Sequence, residues 1–436
     1  MDALTRIEWI WRRRNPAPLP AILVICTTVV VQGRAKLSAT ANSHSVLCPT
    51  CATGVQVSLP RGSEPTAGLS SDVLVQSLER ALLEGNIRES HDLFIEVLKT
   101  PHLGSDTLLR VGIQLAERER YGEAAEAFRR CIQEHPGIFE AYYNLALAQI
   151  AEQQWEDALT TLQKAPQKSR SEVLACSYLR GKVEGAQGRT SQAERDLSTA
   201  FAGAPQNSFY GMDLGLFYIQ QHKYIEAAAV FARARESNGA SSFLLLGLAL
   251  SRFMAGQHEQ SVSTLRKLLA IEPNFAPGQV LLTFALSAEG KLEDAEKVAR
   301  QGLNSPAASP YLYYLDASVL VKLQSRQYKR IFDELLIAQR GIPSCSLCYL
   351  TASKADQAQG NVEAAIRDLE TATQLDPTLS EAWYRLASLY RRVGRSADAS
   401  RAQDRFQELK AEKEGREVQM LRDNFLETLS AAPPSQ

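Results

Sequence analysis

The stretch from Ser208 to Ser241 sets the pattern for most of the chain. Leu214, Gly215 and Tyr218 recur at helical spacing in its first half, and Tyr224, Ala227, Phe231 and Ala234 in its second half. Each half therefore reads as one amphipathic helix. Neither helix is long enough to bury its apolar face alone. Small residues at 215 and 227 let the two lie close together, with a turn near Gln221–Lys223. The prediction is one antiparallel helix pair.

The same layout repeats. A small residue early in the second helix recurs at Ala124, Ala158, Ala193, Ala227, Ser261, Ala295, Ala365 and Ala399. Successive spacings are 34, 35, 34, 34, 34, 70 and 34. The gap of 70 holds one degenerate copy around Ile331. Four positions on, the residue is apolar at Phe128, Leu162, Leu197, Phe231, Leu265 and Leu369. The next helical step is small at Cys131, Ala165, Ala200, Ala234 and Ala372. Pro136, Pro205, Pro273, Pro343 and Pro377 stand where second helices should stop, because proline cannot continue a helix. A fixed period of this length is the signature of stacked helix pairs, not of one globular core.

Period, small columns, aromatic columns and terminal proline together resemble the tetratricopeptide repeat. The best matches are Tyr142, Leu145, Ala146, Trp155, Ala158 and Ala165, and then Trp383, Leu386, Ala387, Tyr390, Gly394 and Ala399. The resemblance implies an all-α fold, a superhelical solenoid of about nine such repeats over residues 105–412. Residues 71–104 read as a degenerate capping pair, and Gly85 lies at the matching turn position of Glu119. The last repeat runs on into a charged helix with Phe406, Leu409, Leu421 and Phe425 on its apolar side. It is expected to cap the stack, with residues 413–436 forming that helix and a disordered tail. The poorest copy, residues 310–345, carries Ile331 where a small residue belongs, which reads as drift.

The N-terminus has a different composition. Arg12, Arg13 and Arg14 precede the apolar run Ala21–Val31, and small residues follow. The run is shorter than the roughly 20 apolar residues that span a bilayer. The order of basic, apolar and small segments is that of a secretory signal, so residues 1–41 are read as a signal peptide or membrane anchor. The chain is expected to be exported, periplasmic or secreted, with a possible tether through residues 21–31. Residues 42–70, rich in Ser, Thr, Pro and Gly, read as a flexible linker.

Composition adds little that is specific. The 436 residues are 45% hydrophobic and 22% charged, and the formal net charge is -1, which disfavours a nucleic-acid partner. No phosphate-binding glycine loop, metalloprotease motif or nucleophile elbow occurs. The repeats leave no room for a catalytic domain, so the chain is read as a non-enzyme with no cofactor, no metal and no small-molecule substrate. The sharpest chemical signals are two CxxC pairs, Cys48–Cys51 and Cys345–Cys348. The second opens a helix with Ser344 as the expected N-cap, and its spacing places both thiols on one face. Local disulfides are the preferred reading, and a thiol redox or metal-binding protein the alternative. Cys131 falls in a small buried column and reads as an inert core thiol.

The resemblance also implies a binding face. First helices of such a stack line a groove through the second, fifth, ninth and twelfth positions of each repeat. Here these give Tyr143, Leu147, Ile150, Tyr178, Phe209, Met212, Leu216, Ile219, Phe243, Leu246, Leu250, Phe253, Val280 and Phe284. Family members that clamp a peptide carboxylate use Lys, Asn and Arg in these columns, and this chain does not. An apolar stripe of this length suits an amphipathic helix or an extended apolar segment of a partner protein or peptide.

Overall fold

The structure, a computed structural model, describes residues 71–412 apart from 239–240, 306–307 and 343. The expectations for residues 1–70, Cys48 and Cys51 included, and for 413–436 lie outside the described residues. Ten helix pairs follow one another, with no strand among the described residues. The opening pair is α1 (Ser71–Leu83) and α2 (Ile87–Lys99). Then come α3 (Ser105–Ala116) and α4 (Tyr121–Glu134), α5 (Phe139–Ala151) and α6 (Trp155–Lys164), and α7 (Arg170–Ala186) and α8 (Thr190–Gly203). Next are α9 (Ser208–Gln220) and α10 (Tyr224–Asn238), α11 (Ser242–Met254) and α12 (His258–Ile271), and α13 (Ala276–Ala288) and α14 (Leu292–Leu303). The chain continues with α15 (Pro310–Lys322) and α16 (Tyr328–Gly341), α17 (Ser346–Gln359) and α18 (Val362–Leu375), and α19 (Ser380–Arg392), and the last described helix, α20, covers 396–412.

The chain divides into two compact units, one ending at Ala255 and the other beginning at Gly256. In the first, successive first helices touch, as α3–α5, α5–α7 and α9–α11, while α1, α3, α5, α7 and α9 each also pack on their own second helix. In the second, α13–α15 and α15–α17 do the same.

Local chemistry fixes the elements. The turn inside each pair passes through one left-handed residue: Gly85, Glu119, Gln153, Gly188, His222, Gly256, Gly290, Gln324, Gly360 and Gly394. Four of these are not glycine, so the turn geometry is imposed by the packing of the two helices rather than by residue preference alone. Second helices stop before proline as expected. The residues preceding Pro136, Pro205, Pro273 and Pro377, namely His135, Ala204, Glu272 and Asp376, all leave helical geometry with ψ from 68° to 92°. α7 starts with a capping box in which Ser169 and Glu172 each satisfy the other's backbone N–H.

A close approach recurs at the column Gly112, Ala146, Gly181, Gly215, Ala249, Thr283, Ala317, Ser353 and Ala387 in the first helices. A Cβ added to Gly215 would overlap the fully buried Phe231 ring of α10. That column keeps its period of 34 from 215 to 317, whereas the second-helix column slips to 36 between Ala295 and Ile331. The two extra residues therefore lie in the α15–α16 turn. The degenerate copy is a complete helix pair, and Ile331 is buried with Leu335 and Ala338.

One expected cap is corrected. Ser344 is not the N-cap of α17; it is left-handed, and Cys345 takes the N-cap position without a side-chain bond. The Cys345–Cys348 disulfide holds this first turn, with Cα atoms 5.3 Å apart.

Candidate functional site

The predicted groove residues do not form one open stripe. In the first unit Tyr143, Tyr178, Met212, Ile219, Leu246 and Leu250 are buried, and Leu147, Ile150, Leu216, Phe243 and Phe253 are half-buried. Phe209 alone is exposed, at 38%. In the second unit Val280 is buried and Phe284 half-buried. The cause is close contact between successive first helices. The column holding Tyr143, Tyr178, Met212 and Leu246 fills the seam between neighbouring first helices instead of facing outward. The expectation of a continuously accessible stripe is corrected to a shorter set: Phe209 with Leu147, Ile150, Leu216, Phe243 and Phe253. Leu250, at 1% exposure, is a core residue, and a charge there would be buried without a partner.

A polar node missed from the sequence interrupts this set. The Tyr178 hydroxyl on α7 donates to Asp213 Oδ2 on α9 at 2.5 Å, and Lys182 Nζ lies 3.3 Å from the same oxygen. The Lys182 ammonium stands 5.4 Å over the Tyr178 ring, and the Tyr178 and Tyr210 rings are 4.6 Å apart. Asp213 is buried, so this charge is tolerated because a hydroxyl and an ammonium both meet it. On α5, Asn144 is equally buried and its Oδ1 meets no donor.

The second class of polar site lies inside the pairs. In the first unit Gln149 of α5 accepts from Thr161 of α6 at 2.8 Å. Arg180 of α7 pairs with Asp196 of α8 at 2.5 Å, and Glu184 packs beside them. Burial and then the Asp196 charge push the Glu184 carboxyl above its ordinary range. In the second unit Asp368 of α18 feels the charge of Asp356 on α17. Burial first, and Asp356 next, push Asp368 up to about 7. The most deeply buried case is Asp316 of α15 with Glu334 of α16, bridged by Arg330.

The cysteines are quiet. Cys345 and Cys348 are both buried, in a cluster with Ala317, Leu320, Ile331 and Leu335. Cys131 and Cys176 are buried free thiols, each pushed up to about 11, chiefly by burial, which leaves little thiolate near neutral pH. Cys176, which the repeat pattern does not assign, lies on α7 with its sulfur 4.0 Å from the Leu162 carbonyl of α6. Among the described residues no group of three or more His, Cys, Asp or Glu side chains is arranged to hold a metal ion. Among them, too, no helix is long and apolar enough to cross a membrane.

Comparison with known proteins agrees with this architecture. Family profiles described as tetratricopeptide repeat match residues 115–182, then 178–242 and 350–412, and finally 244–274. The chain belongs to the tetratricopeptide repeat family. Similar solved structures include a tetratricopeptide repeat protein from Parabacteroides merdae ATCC 43184, at 17% identity and TM-score 0.42, covering 58% of this chain and 98% of that one. YrrB, described as a TPR protein with an unusual peptide-binding site, is 18% identical with TM-score 0.34, covering 42% of this chain and 94% of that one. Human IFIT1, as a dimer with m7Gppp-AAAA, is 19% identical with TM-score 0.40, covering 61% of this chain and 67% of that one. No curated protein sequence matches the chain.

Proposed function

We propose that this protein is a non-enzymatic scaffold, and that the first helices of its first unit bind an apolar segment of a partner protein. Membership of the tetratricopeptide repeat family supports the general role, since such stacks use the face of their first helices for protein binding. The observation that carries the finer reading is the run of accessible apolar side chains Leu147, Ile150, Phe209, Leu216, Phe243 and Phe253. Phe209 is the natural anchor, because it is the most exposed of them and aromatic. Burying six such side chains contributes on the order of 10 kcal/mol before ordering costs. The Tyr178–Asp213–Lys182 node would set the register of the bound segment, offering a polar contact within an apolar surface. Val280 and Phe284 belong to the second unit and form no part of this site.

A photo-crosslinking side chain at Leu216 tests the reading, with the same group at the exposed Ile225 of α10 as control. One adduct formed from Leu216 and weakened by Phe209→Glu, with helicity unchanged, supports it. Equal adducts at both positions, or none at Leu216, would remove it.

Export belongs to the same proposal. The Cys345–Cys348 disulfide suits an oxidising compartment, and the basic and apolar N-terminal segments suit a secretory signal or a tether through residues 21–31. Cell fractionation with and without residues 1–41 decides this: retention of the truncated chain in the cytosol is expected, and identical fractions would sink the idea.

A further inference from the structure

We infer that the helix pair α15–α16 is a proton-dependent joint in the second unit, closed when one proton is shared between Asp316 and Glu334 and loosened when it is lost. The first ground is position. Leu214, Leu248, Leu282 and Asp316 follow at the period of 34, in a column that faces the second helix. The aspartate thus occupies an aliphatic core position, and its exposure is 0%. Opposite it on α16 stands Glu334, also buried.

The second ground is the count of donors. Arg330 Nη2 donates to Asp316 Oδ2, Arg330 Nε to Glu334 Oε1 at 2.8 Å, and Arg330 Nη1 to Glu296 Oε1 of α14 at 3.1 Å. Asp316 Oδ1 and Glu334 Oε2 then remain, each buried and neither meeting an N–H or O–H donor. Arg330 donates to both carboxyl groups, through Nη2 and Nε, and so holds them side by side. One proton on Glu334, donated to Asp316, satisfies both oxygens at once.

The third ground is charge. Three carboxylates, Asp316, Glu334 and Glu296, meet two guanidinium groups, Arg330 and Arg300, the latter bonded to Glu296. The cluster is neutral only when it holds one proton. From the other packed helices, Ser287 of α13 takes Lys322, and the charge of Lys354 on α17 bears on Lys322. Neither adds a cation to the acid pair. Burial accordingly pushes both carboxyls up, with Glu334 at about 8.

The direction of the response follows. The folded pair holds its proton more tightly than an unfolded carboxyl does. Its stabilisation is complete below the ordinary carboxylate range and is lost as pH rises through about 8. The same pair carries the two extra turn residues and the bulky Ile331, so its helices are joined by a longer turn than their neighbours.

The test is hydrogen exchange on the full chain from pH 5 to 9, corrected for intrinsic exchange rates. The opening equilibrium of α15 and α16 is expected to rise by up to about tenfold per pH unit below pH 8 and then level off. The pair α5–α6, joined by the neutral Gln149–Thr161 bond, serves as reference and should stay flat. Glu334→Gln supplies the bridging donor without a titratable proton and should abolish the slope. An unchanged slope in Glu334→Gln, or none in the wild type, overturns the proposal. If Glu334→Gln fails to fold by circular dichroism, infrared spectroscopy of the unmodified chain decides. A protonated-carboxyl band lost over the same pH range as the protection supports the joint, and its absence overturns it.

Discussion

Arg180 and Asp316 occupy the same column in different units, and the helix pairs built around them solve one problem in two ways. Both replace an aliphatic residue, such as Leu214 or Leu282, on the face that a first helix turns to its second. In the first unit the replacement is a cation facing the anion Asp196, and Arg180 stays 41% exposed. Water and the ion pair together solvate it, and the one raised carboxyl at this site is Glu184, which packs beside the pair rather than taking the column position. In the second unit the replacement is an anion facing another anion, Glu334, and water is excluded. The pair then needs Arg330 and a proton. Like spacing with opposite charge gives an ordinary ion pair, whereas like spacing with like charge gives a titratable one.

The sharpest way to break this comparison is to remove the cation from each site. Arg330→Met leaves buried carboxylates without their donor and is expected to cost about 3–5 kcal/mol. Arg180→Met at its half-exposed site should cost only about 1 kcal/mol. Urea unfolding followed by local hydrogen exchange reads both, and equal losses would erase the distinction between the units. Next in size is the pH response of the neighbouring pair α17–α18. Asp368 is raised to about 7 in the folded chain, so stability there should fall as pH rises from about 4 through about 7. The fall is at most about 1.4 kcal/mol per pH unit. Asp368→Asn should remove that step and leave the one at Glu334, which makes the two acid pairs separable.

The disulfide sharpens the comparison further, because it lies only in the second unit among the described residues. Its loop is short, so Cys345→Ser with Cys348→Ser should cost about 2 kcal/mol. Crosslinking from Leu216 in the first unit should be unaffected. Loss of partner binding in this double variant would instead favour a role for the cysteines beyond stapling α17. The smallest effect concerns the small-residue column. Gly215→Ala gains about 1 kcal/mol of helix propensity but forces the Phe231 ring to move. A net loss of about 1 kcal/mol in the first unit is expected, read as a lower urea midpoint. Its counterpart Ala317 already carries a Cβ and is fully buried, so Ala317→Gly should also cost stability, by about 1 kcal/mol of helix propensity together with the loss of a packed methyl group.

Much of this was legible in the sequence. The period, the small columns and the prolines mark nearly every helix, because stacked pairs demand the same side-chain volume at the same step. The joint was half-visible. Ile331 marks an irregular copy, and the aspartate after Leu214, Leu248 and Leu282 breaks an aliphatic column. The two-residue slip in the α15–α16 turn hides that column when only second helices are aligned. Cys345 and Cys348 were readable as a local pair, yet their burial was not, since CxxC spacing says nothing about what covers it.

The binding face shows the opposite case. Apolar periodicity identifies Tyr143, Leu147, Phe209, Leu250 and their neighbours as first-helix residues, but it cannot divide them between seam and surface. That division depends on how closely successive first helices approach, which is a property of the packed stack. By itself, the sequence determined an all-α array of helix pairs, its period and the local pairing of Cys345 with Cys348, because these are set by local spacing and residue volume. The tertiary structure alone decided which apolar residues remain accessible, which carboxylates face one another, and which of them must hold a proton. Exposure and electrostatic environment are sums over residues far apart in the chain, and no single period records them.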